Sequence, residues 1–243
     1  MFILLTDVLT CPRCGPEFGL ILLADQMGER RVIQGRLGCP NCREAYAIRD
    51  GVVHAIPAAE PSSADAGASA DAGTPADAPA SADAESPADA DAAAGDDAEA
   101  PVRYAALMGL SGATGLVLVA GPGARHAAAV AALVPGIEVV AVDDPHPAPA
   151  MENGVSRVVA GGRLPFRDDK MRGAALTGGA AGERLREALR VLAPGARLVV
   201  DPAPADTAER LRALGAEVLL EQAGVVVARA PGRPVPLGRR PPG

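Results

Sequence analysis

The chain has no tryptophan and only five aromatic residues, three Phe and two Tyr, among 243 positions. A core must therefore be assembled from Ala, Val and Leu. Lysine is nearly absent too: Lys170 stands against 22 arginines. That bias, with the high alanine content, fits a GC-rich coding sequence. The arginines are scattered rather than clustered, which argues against a nucleic-acid surface. No apolar run approaches the ~20 residues of a membrane-spanning helix. Residues 2–5 are apolar but too short for a signal segment, and no basic stretch precedes them. The expectation is a cytoplasmic protein without membrane partners. No nucleophile–base pair or catalytic metal cluster stands out either.

The charge that is present is unevenly placed. Net charge is −7, yet residues 57–100 hold 11 acidic side chains and no basic ones, which leaves the remainder with 23 basic against 19 acidic groups. That acidic segment is built from Ala, Asp, Pro, Ser and Gly. It has too little apolar surface to offset the entropy of ordering. Prolines at 57, 61, 75, 79, 87 and 101 interrupt any helix its alanines would favour. It is expected to be a disordered linker between domains at 1–56 and 101–230, with a second disordered tail at 231–243.

Only four cysteines occur, and they form a pattern: Cys11-Pro12-Arg13-Cys14, then 24 residues, then Cys39-Pro40-Asn41-Cys42. Two Cys-x-x-Cys turns at this separation are the ligand set of a tetrahedral four-thiolate zinc site, which is structural because no position stays open. Two redox motifs, two disulfides, or iron in place of zinc are the alternatives. A segment this small buries little apolar surface. Structural zinc contributes roughly 10–16 kcal/mol in small modules, so the first domain is expected to depend on its metal.

Around the cysteines the pattern predicts a short helix or turn over 2–10. Strands are expected at 20–24 and 31–36, joined by a turn over 26–29. A hairpin over 45–56 should turn at Asp50-Gly51. A leading helix, two Cys-Pro-x-Cys turns and Tyr46-Ala47-Ile48-Arg49-Asp50-Gly51-Val52 resemble the small zinc-ribbon family that activates tRNA- and ribosome-modifying methyltransferases. Arg43 stands where that family often has glycine, and Ala47 where it often has proline. The resemblance implies another methyltransferase or a translation-related protein as partner. His54 reads as a half-buried strand residue, since four cysteines already complete the metal site.

From residue 101 strands and helices alternate. Helices are expected at 102–110, 126–133, 183–192 and 207–214. Strands are expected at 116–120, 138–142, 156–160, 173–176 and 197–200, with a closing antiparallel pair at 217–220 and 225–228. This is an α/β pattern with a mostly parallel sheet. The turn Gly121-Pro122-Gly123-Ala124-Arg125 follows the first strand and opens a helix, where glycines and free N–H groups can cradle a ligand. Asp143 ends the second strand, where an acid can meet ribose hydroxyls.

Leu164-Pro165-Phe166 and the stretch from Glu187 to Val200 are similar to the Rossmann-like methyltransferases that use S-adenosylmethionine. The resemblance implies that cofactor, with Gly121, Gly123, Arg125 and Asp143 as the residues to hold it. Departures fall on the same positions. Val119 replaces the family's acid before the glycines, and Arg125 its third glycine. Ala160-Gly161-Gly162 lacks its aspartate, and Met171-Arg172 replaces its Phe-Asp. His126 and His146 lie near the expected cleft. Three readings follow: a methyltransferase-like binding or regulatory module with a degenerate cofactor site, an active methyltransferase, and a nucleic-acid-binding zinc-ribbon protein.

Overall fold

An eleven-stranded sheet unites the two ends of the sequence. The computed structural model describes residues 1–57, 98–144, 152–179 and 182–232. The linker expected over 57–100 and the tail over 231–243 fall mostly outside these residues. Residues 1–57 and the described residues from Glu99 onward belong to one compact unit.

The cysteine-bearing segment opens with a 3₁₀ turn, Ile3–Asp7, followed by β1 (Thr10–Cys11), β2 (Gly15–Gly19), β3 (Ile21–Gly28), β4 (Arg31–Gly38), β5 (Ala45–Arg49) and β6 (Val52–His54). Asp50 and Gly51 are both left-handed, with φ of 49° and 78°, as a two-residue hairpin turn requires. The turn between β3 and β4 departs from expectation. It falls on Glu29 and Arg30, with φ of 48° and 64°, and Gly28 closes the strand instead. This register places Val32 and Leu37 in the core, and burial of one face outweighs the turn preference of glycine.

The second part comprises α1 (Ala100–Met108), β7 (Gly115–Ala120), a 3₁₀ turn (Pro122–His126), α2 (Ala127–Leu133), β8 (Ile137–Val142), β9 (Val155–Val159), β10 (Met171–Thr177), α3 (Gly182–Val191), β11 (Leu192–Asp201), α4 (Thr207–Ala213), β12 (Glu217–Gln222) and β13 (Val225–Arg229). The helix expected from 126 is thus preceded by a 3₁₀ turn. The strand expected at 197–200 begins at Leu192, and its register against β10 shifts between Leu192 and Arg197. The sheet order is β12-β13-β11-β10-β7-β8-β9-β6-β5-β4-β3. From β9 to β11 the pairing is parallel, and β13 and β12 close the edge antiparallel. Counted from β7, this is a doubly wound sheet whose chain direction reverses between β7 and β10.

α1 and α2 cover one face, over Val119, Val139, Ala175 and Val199. The other face carries α3 and α4, but the β9–β10 connection, residues 160–170, contains no helix. The cysteine-bearing segment covers that region. Its Leu5, Leu9, Leu37, Tyr46, Ile48 and Val53 share a core with Leu118, Val140, Val158, Phe166 and Leu176.

Three contacts fix this arrangement. First, β6 pairs parallel with β9, Val53 opposite Val158, and the Ala55 N–H donates to the Val159 carbonyl at 2.8 Å. Second, Leu9 bridges Phe166, the Thr10 N–H donates to Pro165 at 2.9 Å and the Arg167 N–H to Val8 at 2.8 Å. Third, Arg31 forks onto both oxygens of Glu138 at 3.0 and 3.1 Å and donates to the Val155 carbonyl at 2.7 Å. The Ser156 hydroxyl donates to the same carboxylate at 2.6 Å.

The 164–168 loop is itself clamped from α3. Arg190 donates to the Leu164 and Phe166 carbonyls at 2.8 and 2.7 Å and to Asp168 at 2.9 Å. Glu187 holds Arg190 and accepts from the Leu164 N–H at 3.1 Å.

Arg31 and Glu138 side chains are 10% and 11% exposed, so removing one leaves the other charge buried and unpaired. Arg31→Met should lower stability to urea by about 3 kcal/mol, and Arg31→Met with Glu138→Leu should recover most of that loss. A single variant within about 1 kcal/mol of the parent would mean that the pair is not made.

Candidate functional site

Two sites emerge, one at the cysteines and one at the carboxyl ends of the parallel strands. Cys11 ends β1 and Cys14 lies in the turn before β2, while Cys39 and Cys42 lie between β4 and β5. All four Sγ atoms fall within 4.8 Å of one another. Cys11 and Cys42 are 3.7 Å apart, and Cys14 and Cys39 3.8 Å. With Zn–S bonds near 2.3 Å, a tetrahedron has sulfur–sulfur edges of about 3.8 Å. The four cysteines are free of disulfides, and these separations are far too long for an S–S bond. The donor set can bind zinc.

Hydrogen-bond donors approach Cys11 and Cys14. The Cys14 N–H reaches Cys11 Sγ at 3.4 Å, and the Asn41 amide donates to Cys14 Sγ at 3.3 Å. The buried Tyr46 hydroxyl lies 3.3 Å from both Cys11 Sγ and a Glu44 carboxylate oxygen. Burial pushes the Cys11 thiol up, but the Tyr46 hydroxyl and the Cys14 and Arg13 N–H groups outweigh it and bring it down to about 7. Tyr46 was not singled out from sequence as a neighbour of the metal site. Its position just after the second cysteine pair is the signal that could have found it. Arg43 adopts φ of 62°, which explains the glycine common at this position in the resembling family.

The second site lies where the sheet order reverses, between β7 and β10, the place where open α/β sheets bind ligands. A cavity of about 240 Å³ is lined by Ala120, Gly121, Asp143, Leu176, Thr177, Gly179 and Arg184. Both glycines of the β7 turn are required by Thr177. A Cβ on Gly121, φ 82°, would collide with the Thr177 carbonyl, and one on Gly123 would come within 2.6 Å of the Thr177 methyl. The Thr177 hydroxyl accepts from the Gly123 N–H and donates to the Ala120 carbonyl, each at 2.7 Å.

Asp143 reaches this cavity from the end of β8, and its carboxylate already has partners. One oxygen accepts from the Ala160 N–H at 2.7 Å. The other accepts from Arg184 Nη2 at 2.6 Å. The next residue, Asp144, pairs with Arg157 at 2.6 Å, and Arg157 also holds Glu152.

The structure thus brings Gly121 and Asp143 together at the cavity, with Gly123 behind Thr177. Arg125 is not among the described lining residues. Its Nε donates to the His126 ring at 3.2 Å, and that ring packs edge-on to Tyr104 of α1. Val119 is fully buried in the helix-side core with Tyr104, Ala175 and Val199, so an acid there would be buried among apolar groups. Met171 is likewise core, while Gly161, Gly162 and Arg172 are exposed. His54 is half-buried in β6. His146 lies outside the described residues. Arg184, which sequence reasoning passed over, is the side chain that most changes the charge of the cavity.

Residues 3–51 match the model of the Trm112p-like protein family. A search of curated proteins found no match. Similar solved structures include the [4+2]-cyclase SpnF, at 19% identity over 55% of this chain and 80% of that one, with a TM-score of 0.45. A second is a chain of the complex between the Haloferax volcanii Trm112 methyltransferase activator and the putative methyltransferase, at 15% identity over 56% and 91%, TM-score 0.44. A third is Burkholderia thailandensis 1,6-didemethyltoxoflavin-N1-methyltransferase with bound 1,6-didemethyltoxoflavin and S-adenosylhomocysteine, at 22% identity over 54% and 76%, TM-score 0.42. Among the described residues no helix is long and apolar enough to cross a membrane.

Elemental analysis should find one zinc per chain, absent from a Cys39→Ser, Cys42→Ser double variant. Chelation should lower the midpoint of a single unfolding transition, because the cysteine segment and the larger sheet share a core; a separate early transition would contradict that coupling. Tyr46→Phe removes a hydroxyl beside Cys11 and should weaken zinc binding by roughly tenfold or more in competition with a chelator.

Proposed function

We propose that this chain is a methyltransferase-like protein that carries a zinc ribbon as a fixed part of its own sheet. In this reading its carboxyl-end crevice is degenerate as an S-adenosylmethionine site, and the chain serves as a binding or regulatory module. The observation that carries the reading is the Asp143–Arg184 pair. S-adenosylmethionine brings a positive sulfonium and a positive ammonium group. A crevice suited to it offers acids, and here the acid expected to meet ribose is engaged by an arginine. Val119 supplies no carboxylate, and Thr177 occupies the space beside the glycines. Displacing Arg184 from Asp143 would cost a charge-assisted hydrogen bond before any cofactor contact is made.

The ribbon's methyltransferase partner is, on this reading, the rest of its own chain. The edge of β6 and residues 8–10 are already paired. A translation-related partner, which the family resemblance implies, would engage other ribbon surfaces. Four thiolates suit a reducing compartment, in keeping with a cytoplasmic location. The active-methyltransferase reading has one observation in its favour: the crevice and its glycine turn stand at the chain reversal where this fold binds ligands.

Calorimetric titration with S-adenosylmethionine separates the two. The expected result is no saturable binding up to about 100 μM, weaker than roughly −5.5 kcal/mol. A low-micromolar dissociation constant would favour the enzyme.

A further inference from the structure

The eleven-stranded sheet ends in two edges, β12 and β3. An exposed edge offers unpaired N–H and C=O groups to another strand, and natural edges are blunted by charge, bulges or brevity. β12 carries Glu217 and Glu221, each in an exposed ion pair. β3 has eight residues, and a break in its register against β4 at Asp25 interrupts its second half. The first half has no such protection. Leu20-Ile21-Leu22-Leu23-Ala24 holds no charge, proline or glycine, and from Ile21 to Ala24 it pairs with β4 in unbroken register. Leu22 packs against the core, so Ile21 and Leu23 point the other way, 58% and 47% exposed. A flat apolar run of this kind on a free edge is a template for strand pairing.

We propose that this stretch is the interface of a homodimer, in which β3 pairs antiparallel with β3 of a second copy about a two-fold axis perpendicular to the sheet. The side chains select the register. Opposed residues in such a pair share a face, so Ile21 and Leu23 meet odd-numbered positions. Ile21 opposite Ile21 of the second copy would set Asp25 against Glu17, two like charges. Leu23 opposite Leu23 would set Asp25 against Ile21, an acid against an apolar chain. An axis through Leu22 instead sets Ile21 against Leu23 twice. It also brings Asp25, the first residue past the regular stretch, across from Gly19 of the second copy. Gly19 is where the surface holds a positive charge: the Arg167 guanidinium lies 2.9 Å from the position a Gly19 Cβ would take. Neither Asp25 nor Arg167 has an ion-pair partner among the described residues. This register closes with two ion pairs between the copies, Asp25 of each with Arg167 of the other. The inference is independent of what the crevice binds.

Sedimentation velocity on the zinc-loaded full chain tests this. A short strand contact makes a weak dimer, so the chain should move from monomer toward twice its mass between roughly 5 and 500 μM. Hydrogen exchange of residues 21–24 should slow as protein concentration rises. Leu23→Lys, at an exposed position, should raise the dimer dissociation constant roughly tenfold or more and leave the unfolding midpoint unchanged. Asp25→Arg and Arg167→Glu should each raise it about fivefold, and the two combined should return it to within about twofold of the parent. Should a variant fail to fold, the concentration dependence of exchange in the parent protein decides. A chain that stays monomeric at roughly 500 μM overturns the proposal, whether a strand of another protein or residues 58–97 of this chain then take the edge. A dimer that Leu23→Lys leaves intact, a charge swap that restores nothing, or exchange at 21–24 that ignores concentration overturns it as well.

Discussion

The parallel pairing of β6 with β9 is the constraint on which the rest of the structure depends. A parallel strand in an α/β sheet needs apolar cover on both faces. β9 has helix cover on one side, but the connection that leaves it, residues 160–170, forms no helix. The cysteine-bearing segment supplies the missing layer, with Leu5, Leu9 and Leu37 facing Val158 and Phe166 in one core. It also removes a sheet edge, because the polar groups of β9 that would face solvent bond to β6 instead. Zinc held by the four cysteines would therefore stabilise more than its own loops. By fixing the two cysteine turns it would hold β4 and β5, which hold β6, which caps β9.

A second linkage runs through the 164–168 loop. Its Leu164-Pro165-Phe166 sequence and the start of the Glu187-to-Val200 stretch belong to one resemblance and have a common physical role. Arg190 takes the Leu164 and Phe166 carbonyls, so α3 sets the position of the loop. The loop then presents Pro165 and Phe166 to residues 8–10 of the ribbon. The same connection begins at Ala160, whose N–H orients Asp143 in the crevice. Ribbon, loop and crevice are thus joined by consecutive hydrogen-bonded segments.

What was legible in the sequence is what local chemistry controls. The Asp50-Gly51 turn needs left-handed residues and has them. The four cysteines declare their site by spacing alone. Strands β7, β8 and β10 are apolar runs bounded by turn residues. The Glu29-Arg30 turn was hidden because neither residue favours the left-handed region it occupies, and Gly28 next to it does. Docking of the ribbon was hidden because its contacts are remote: Arg31 and Glu138 are 107 residues apart. An apolar strand looks the same in sequence whether a helix or a ribbon covers it. Asp143 could be placed at a strand end, but its partner Arg184 lies 41 residues further on, and no periodicity links the two.

The arginine bias takes on a second meaning in this setting. Composition alone attributes it to coding preference. Yet Arg31, Arg184 and Arg190 each join elements separated in sequence, Arg157 ties together the ends of two consecutive strands, and three of the four hold more than one acceptor at once. A lysine ammonium is a point charge without a planar fork and cannot reproduce two parallel bonds to one carboxylate. With five aromatic residues and a core of Ala, Val and Leu, the protein has few large side chains to fix the angles between its layers. The forked pairs supply that directionality. At Glu138 the fork, and at Asp144 one arm of Arg157, do so with both carboxylate and guanidinium well buried. At Asp143 a single Arg184 nitrogen donates to a carboxylate that lines a cavity, and that one bond ties α3 to the end of β8.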